Sequence, residues 1–188
     1  RRPRWIKDPQ EKISFWEISP GGKFVAIIAR GRIFVSPANG SRWVEVTRKS
    51  GIRYSAVQFL DEKTIVYLSD ESGEFEIWKA NSDGSGVAQQ LTRSSTVLID
   101  RIFASPDGKY IAYRDKDFKL TLLKVSDGTS RIVEQNRNGG IGSYVTWSKN
   151  SEYLCYPSDE DNTNTVIKVY EISTGKSQKI TTDRLNSY

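Results

Sequence analysis

The chain has 188 residues, 37% hydrophobic and 27% charged, a globular balance with room for one ordinary domain or part of a large β domain. It contains no His and a single Cys, which excludes Ser-His-Asp and Cys-His catalysis built from this chain alone, His- or Cys-rich zinc sites, and any internal disulfide. The net charge of +5 is enough to steer anionic partners, but Arg1, Arg2 and Arg4 supply three of those charges, so the body is nearly balanced and nucleic acid is not the expected partner.

The 5 Trp, 9 Tyr and 7 Phe favour strands. The longest apolar run, 24–29, is far too short to span a membrane, and no signal peptide is visible. Residues 1–12 read as a basic segment or a connection from a preceding part. From residue 13 onward one layout recurs four times. Strands are expected at 13–18, 24–28, 32–35 and 43–47, then at 54–59, 64–68, 75–79 and 88–92. The third set is 98–103, 110–113, 120–125 and 131–133, and the fourth is 143–147, 153–156, 166–172 and 178–181. The turn after each first strand reads Ser19-Pro-Gly-Gly-Lys23, Leu60-Asp-Glu-Lys63, Ser105-Pro-Asp-Gly-Lys109 and Ser148-Lys-Asn-Ser-Glu152. Its closing positions, 23, 63, 109 and 152, are spaced by 40, 46 and 43 residues, the period of four-stranded propeller blades. Gly-containing clusters at 38–40, 83–86, 127–128 and 174–175 separate the third and fourth strands as hairpin turns. Alternation in Phe75-Glu-Ile-Trp-Lys79 suits half-buried antiparallel strands.

The expected fold is therefore all-β: a β-propeller with about four blades, at roughly 13–50, 51–97, 98–141 and 142–183. A propeller removes its exposed sheet edges only by closing into a ring. Residues 184–188 read as the start of a further blade and 1–12 complete none, so the chain is expected to be a fragment of a larger ring of six to eight blades.

Particular runs carry a family resemblance. Ala29-Arg-Gly-Arg-Ile-Phe-Val-Ser-Pro-Ala38 and Leu68-Ser-Asp-Glu-Ser-Gly-Glu-Phe-Glu-Ile-Trp78 resemble the tricorn-like proteases, with Gly84-Ser-Gly86, Gln90-Leu-Thr92 and Asp115-Lys-Asp-Phe-Lys-Leu120 following in register. The Ser-Pro-Asp-Gly-Lys turn is shared with TolB-like propellers more broadly. The resemblance implies the start of the second, larger propeller of a serine peptidase, with the PDZ-like and catalytic parts outside this chain. It also implies a propeller that gates or steers peptides towards that active site. The alternatives are a TolB-like interaction propeller without peptidase activity, or the propeller of a prolyl-oligopeptidase-type hydrolase. Expected partners are peptides or the remaining peptidase domains of the same protein, with a homo-oligomer possible. No cofactor, metal, nucleic acid or membrane is expected. A cytoplasmic location is expected, or a periplasmic one if a signal peptide was removed upstream.

If first strands line the central passage, the residues facing it include Trp16, Glu17, Arg53, Tyr54, Asp100, Arg101, Ser143 and Tyr144. Arg53 and Arg101 stand out because a guanidinium binds a peptide carboxylate bidentately. Arg30 and Arg32, at the turn between second and third strands, are the further channel candidates. The competing expectation for each is ordinary pairing with a nearby Asp or Glu. Other sites fail on their own pattern. Asp159–Asn164 lacks the Gly and Glu of a calcium loop. Asn138–Gly142 has no following helix or Lys-Ser/Thr for a phosphate. Asn39-Gly40-Ser41 suits a turn better than a glycosylation acceptor. Asp70, Glu71 and Glu74 read as a solvated acidic turn, and Cys155 as a small core residue. Phe103 and Trp147 are expected to be buried where an inner strand meets the neighbouring blade.

Overall fold

A computed structural model of the chain describes residues 9–93, 97–136, 140–141, 144–160 and 165–181. Four antiparallel sheets of four strands follow one another along it. The first comprises β1 (Ile13–Ile18), β2 (Phe24–Ala29), β3 (Arg32–Pro37) and β4 (Val44–Glu45). The second comprises β5 (Tyr54–Phe59), β6 (Thr64–Ser69), β7 (Glu76–Asn81) and β8 (Gln89–Gln90). The third is β9 (Ile99–Ala104), β10 (Tyr110–Asp115), β11 (Lys119–Lys124) and β12 (Ser130–Gln135). The fourth is β13 (Thr146–Trp147), β14 (Tyr153–Asp159), β15 (Thr165–Glu171) and β16 (Lys176–Lys179). Each sheet runs first to fourth strand in chain order, as the repeat requires. A 3-10 turn, Pro9–Lys12, leads into β1. The expected basic head Arg1, Arg2 and Arg4 and the start of a further blade at 184–188 lie outside the described residues.

Blade contacts set the geometry. β5 packs on β1 and β2, and β9 packs on β5 and β6, so the first strands converge on one side of the arc. Three apolar layers fill the gaps between blades. Ala26, Ile28, Ile33 and Val35 meet Ile65, Tyr67 and Phe59 between blades one and two. Val66, Leu68 and Ile77 meet Ile102 and Ile111 between two and three. Ala112, Leu120 and Leu122 meet Leu154 and Tyr156 between three and four. Alternation explains this: every blade but an outermost one is covered on both faces, so successive residues of its second strand point into different layers.

The turn serines are anchors. Ser19 Oγ accepts from the Phe24 N–H, Ser105 Oγ from that of Tyr110, and Ser148 Oγ from that of Tyr153. Each hydroxyl also donates. Ser105 gives its proton to Asp107 of its own turn, and Ser148 to Asn150. Blade one has Gly21 at that position, and Ser19 donates instead to Glu62 of blade two, 2.8 Å away. The same carboxylate accepts from the Gly21 N–H. The turn that departs furthest from the repeat, Leu60–Lys63, thus reaches across to its neighbour, as the fourth turn does where Ser151 Oγ accepts from the Asp107 N–H.

Three strands differ from expectation. β13 has two residues, where the repeat suggested five, and β4 and β8 are shorter than expected. In blades one and two a Thr continues the ladder beyond the short fourth strand. Thr47 Oγ1 accepts from the Ile33 N–H at 2.8 Å and Thr92 Oγ1 from that of Ile77 at 2.9 Å. β12 runs six residues and keeps its backbone ladder with β11 instead.

Candidate functional site

The inner strands are irregular where they face the arc's concave side. Register shifts interrupt β1–β2 between Ile13 and Phe15, β5–β6 between Ser55 and Gln58, and β9–β10 at Asp100. In β5 the extra residue is Ala56, held at φ 50, a left-handed conformation that costs a non-glycine roughly 1–2 kcal/mol. Bulges of this kind re-aim side chains at sheet edges.

The four arginine candidates are separated by what they touch. Arg53 Nε lies 2.7 Å from Asp70 Oδ2, its backbone N–H donates to the same carboxylate, and its guanidinium stacks 5.4 Å from the Phe75 ring centre. Burial would raise the Asp70 carboxyl, but the Arg53 hydrogen bonds and charge hold it below the usual carboxylate range. Arg53 still leaves 76% of its side chain in solvent. Arg32 pairs with Glu45 at 2.5 Å. Arg30 is exposed and sits at φ 52 in the tight turn with Gly31. Arg101 is exposed on β9 and has no ion pair among the described residues.

Other inner-strand residues are disposed differently. Tyr54 is 6% exposed and packs edge-on against Tyr67, so it belongs to the first core layer. Trp16 is 70% exposed, on the face of blade one turned away from blade two. Burial pushes the Glu17 carboxyl up. Asp100 is held by Arg114, whose Nη2 lies 2.5 Å from it while Nη1 donates to the Ile141 carbonyl at 2.9 Å. Tyr144 is exposed, and Ser143 lies outside the described residues. Sequence reasoning missed Arg114 because its partners are 14 and 27 residues away and share no motif with it.

The remaining motifs resolve as turns or packing. The Asn39 side chain accepts from the Ser41 N–H, closing a local turn. Asp70 and Glu71 are paired to Arg53 and Lys49, so that turn is tied to the inner strand. Phe103 and Trp147 are half-buried, less than expected. The indole N–H of Trp147 spans the blades to the Phe103 carbonyl at 3.0 Å. Burial pushes the Cys155 thiol up, away from nucleophile chemistry. Of the two glycine- and Asx-rich loops, residues 137–139, 142–143 and 161–164 lie outside the described residues.

Comparison with known proteins decides the family. A family model described as the Tricorn protease second beta propeller domain matches residues 13–188. The chain belongs to that family. The Tricorn protease of Thermoplasma volcanium is 24% identical over 188 aligned positions, covering 96% of this chain and 18% of that relative. The crystal structure of the tricorn protease superposes at a TM-score of 0.80 with 16% identity, over 98% of this chain and 18% of that one. TolB from Acinetobacter baumannii superposes at 0.68 with 20% identity, over 89% and 43%. The chain therefore spans under a fifth of the length of its tricorn relatives, in keeping with a fragment of a larger propeller. The TolB likeness shows that the blade architecture is shared beyond the peptidases. No helix among the described residues is long and apolar enough to cross a membrane.

Proposed function

We propose that this chain is a non-catalytic propeller segment of a tricorn-type serine peptidase. It steers peptides past its first strands towards an active site carried elsewhere in the polypeptide, in the cytoplasm. The observation that carries this reading is the match of residues 13–188 to the second propeller of a protease family, in a chain without a single His. Arg101 is the residue best placed to attract a peptide carboxylate, because no acid among the described residues engages it. Arg53 is a weaker candidate, since Asp70 already occupies its fork.

The test uses the intact protein. Arg101→Glu slows cleavage of long peptides more than of short ones, and the difference shrinks as salt shortens the screening length to about 8 Å or less. Lys176→Glu, on an exposed position of the fourth strand β16, controls for net charge. Equal losses from the two variants would refute steering by Arg101.

A further inference from the structure

A cleft of about 740 Å³ opens between blades one and two, on the side of the Ser19 and Leu60 turns. Its apolar lining is Phe24, Val35, Pro37 and Val44, all from blade one. Both ends are fixed by contacts between the blades. At one end Glu62 holds Ser19 and Gly21. At the other, Gly84 sits so close to β4 that a Cβ there would lie 3.2 Å from Val44 and 3.3 Å from the Glu45 carbonyl. The opening is therefore built into the packing of the two blades.

Three exposed cations border it: Lys23, Arg42 and Lys63. None has an ion pair among the described residues. Of the two carboxylates at the cleft, Glu62 is engaged by Ser19 and Gly21, and Asp83 accepts from the Ser85 N–H. The cations are left to an outside anion. They come from both blades and from separate turns, so they suit several carboxylates along a segment better than one terminal carboxylate.

The repeat supplies an internal comparison. The corresponding cleft between blades three and four, about 860 Å³, has Lys124 and Arg131 where this one has Pro37 and Val44. There the charges are already satisfied: Lys109 pairs with Asp107, Lys124 with Asp127, and Arg131 Nη2 donates to the Ile172 carbonyl. Of these two clefts, the one between blades one and two combines apolar walls with cations that have no ion pair among the described residues.

We propose that this cleft binds an extended acidic peptide segment, with an apolar anchor side chain against Pro37 and Val44 and flanking carboxylates on Lys23, Arg42 and Lys63. The proposal is independent of the steering reading, because the lining comes from the second to fourth strands of blade one, from the end of β7 and from turns, with no residue of a first strand.

The probe is a fluorescein-labelled Glu-Asp-Leu-Phe-Asp-Glu peptide, followed by fluorescence anisotropy on the intact protein with a serine-directed inhibitor present. Binding is expected, weaker at high salt, and lost by at least tenfold when Leu-Phe becomes Ala-Ala or the acids become Gln. Val44→Arg, which installs the residue found in the other cleft, weakens it at least tenfold. The doubly exposed variant Arg42→Glu/Lys63→Glu does the same without touching the core. Lys109→Glu in the other cleft leaves it unchanged. No binding of the probe, or binding insensitive to both cleft variants, overturns the proposal. Loss with Arg101→Glu alone would place the peptide at the first strands and overturn it equally.

Discussion

Arg114, on the second strand β10, ties two blades together. Its side chain is 12% exposed and joins β10 to Asp100 of β9 and to Ile141 of the next blade. Removing one partner of a buried ion pair leaves the other charge uncompensated, at about 3–5 kcal/mol, and less where, as here, the carboxylate keeps 27% of its side chain in solvent. Arg114→Ala is therefore expected to lower the unfolding free energy by that order in chemical denaturation. Arg114→Lys should recover only part of it, because an ammonium cannot reach the carboxylate and the carbonyl as a planar fork does. Glu134 gives a pH-dependent counterpart. Burial would raise its carboxyl, but hydrogen bonds from Lys168, Ser158 and Tyr156 hold it below the ordinary Glu value of 4.5. A carboxylate with a depressed folded value stabilises above the unfolded value and loses that contribution as pH falls through the folded one. Stability is thus expected to fall with pH from about 4.5 downward, and Glu134→Gln should flatten that limb while lowering stability near neutrality. An unchanged acid limb in Glu134→Gln would contradict the assignment.

At the scale of elements, the hydroxyl of Thr47 does the work of a missing strand residue. Thr47→Val leaves the Ile33 N–H without its acceptor in a buried layer, which costs about 1–3 kcal/mol. The melting temperature should drop accordingly. A melting temperature equal to that of the unsubstituted protein would mean that water or a backbone carbonyl takes over. Strand order, the four turns and the second strands were legible in the sequence, because turn chemistry and alternation are local signals. Second strands expected at 24–28 and 64–68 run one residue further, to Ala29 and Ser69. Lengths of fourth strands were not legible, since an outer strand ends wherever its single neighbour stops offering partners. The same limit hid the Glu62 clip and the Arg53–Asp70 pair. Arg53 invited a ligand on its own, and only the fold brings a carboxylate 17 residues away onto it.

At the scale of the whole molecule, the blades bury one another by equivalent positions. Val25 and Ile27 of β2 correspond to Ile65 and Tyr67, which are buried against blade one, and to Leu154 and Tyr156, buried against blade three. In blade one the matching face carries Trp16, Ile18 and Trp43 in solvent. Sheet faces of this kind are covered in a propeller by a further blade. Hydroxyl-radical footprinting is expected to modify Trp16 readily in the 188-residue chain and poorly in the intact protein. Equal reactivity in both would contradict a further blade on that face.

Passage of peptides along the first strands, as proposed, would leave a crosslink there. A photo-reactive phenylalanine replaces Arg101 on β9, or Lys176 on the fourth strand β16, in intact protein treated with a serine-directed inhibitor. Irradiation with a labelled long peptide is expected to give a crosslink at position 101 and none at 176. Crosslinking at 176 with none at 101 would contradict passage along the first strands.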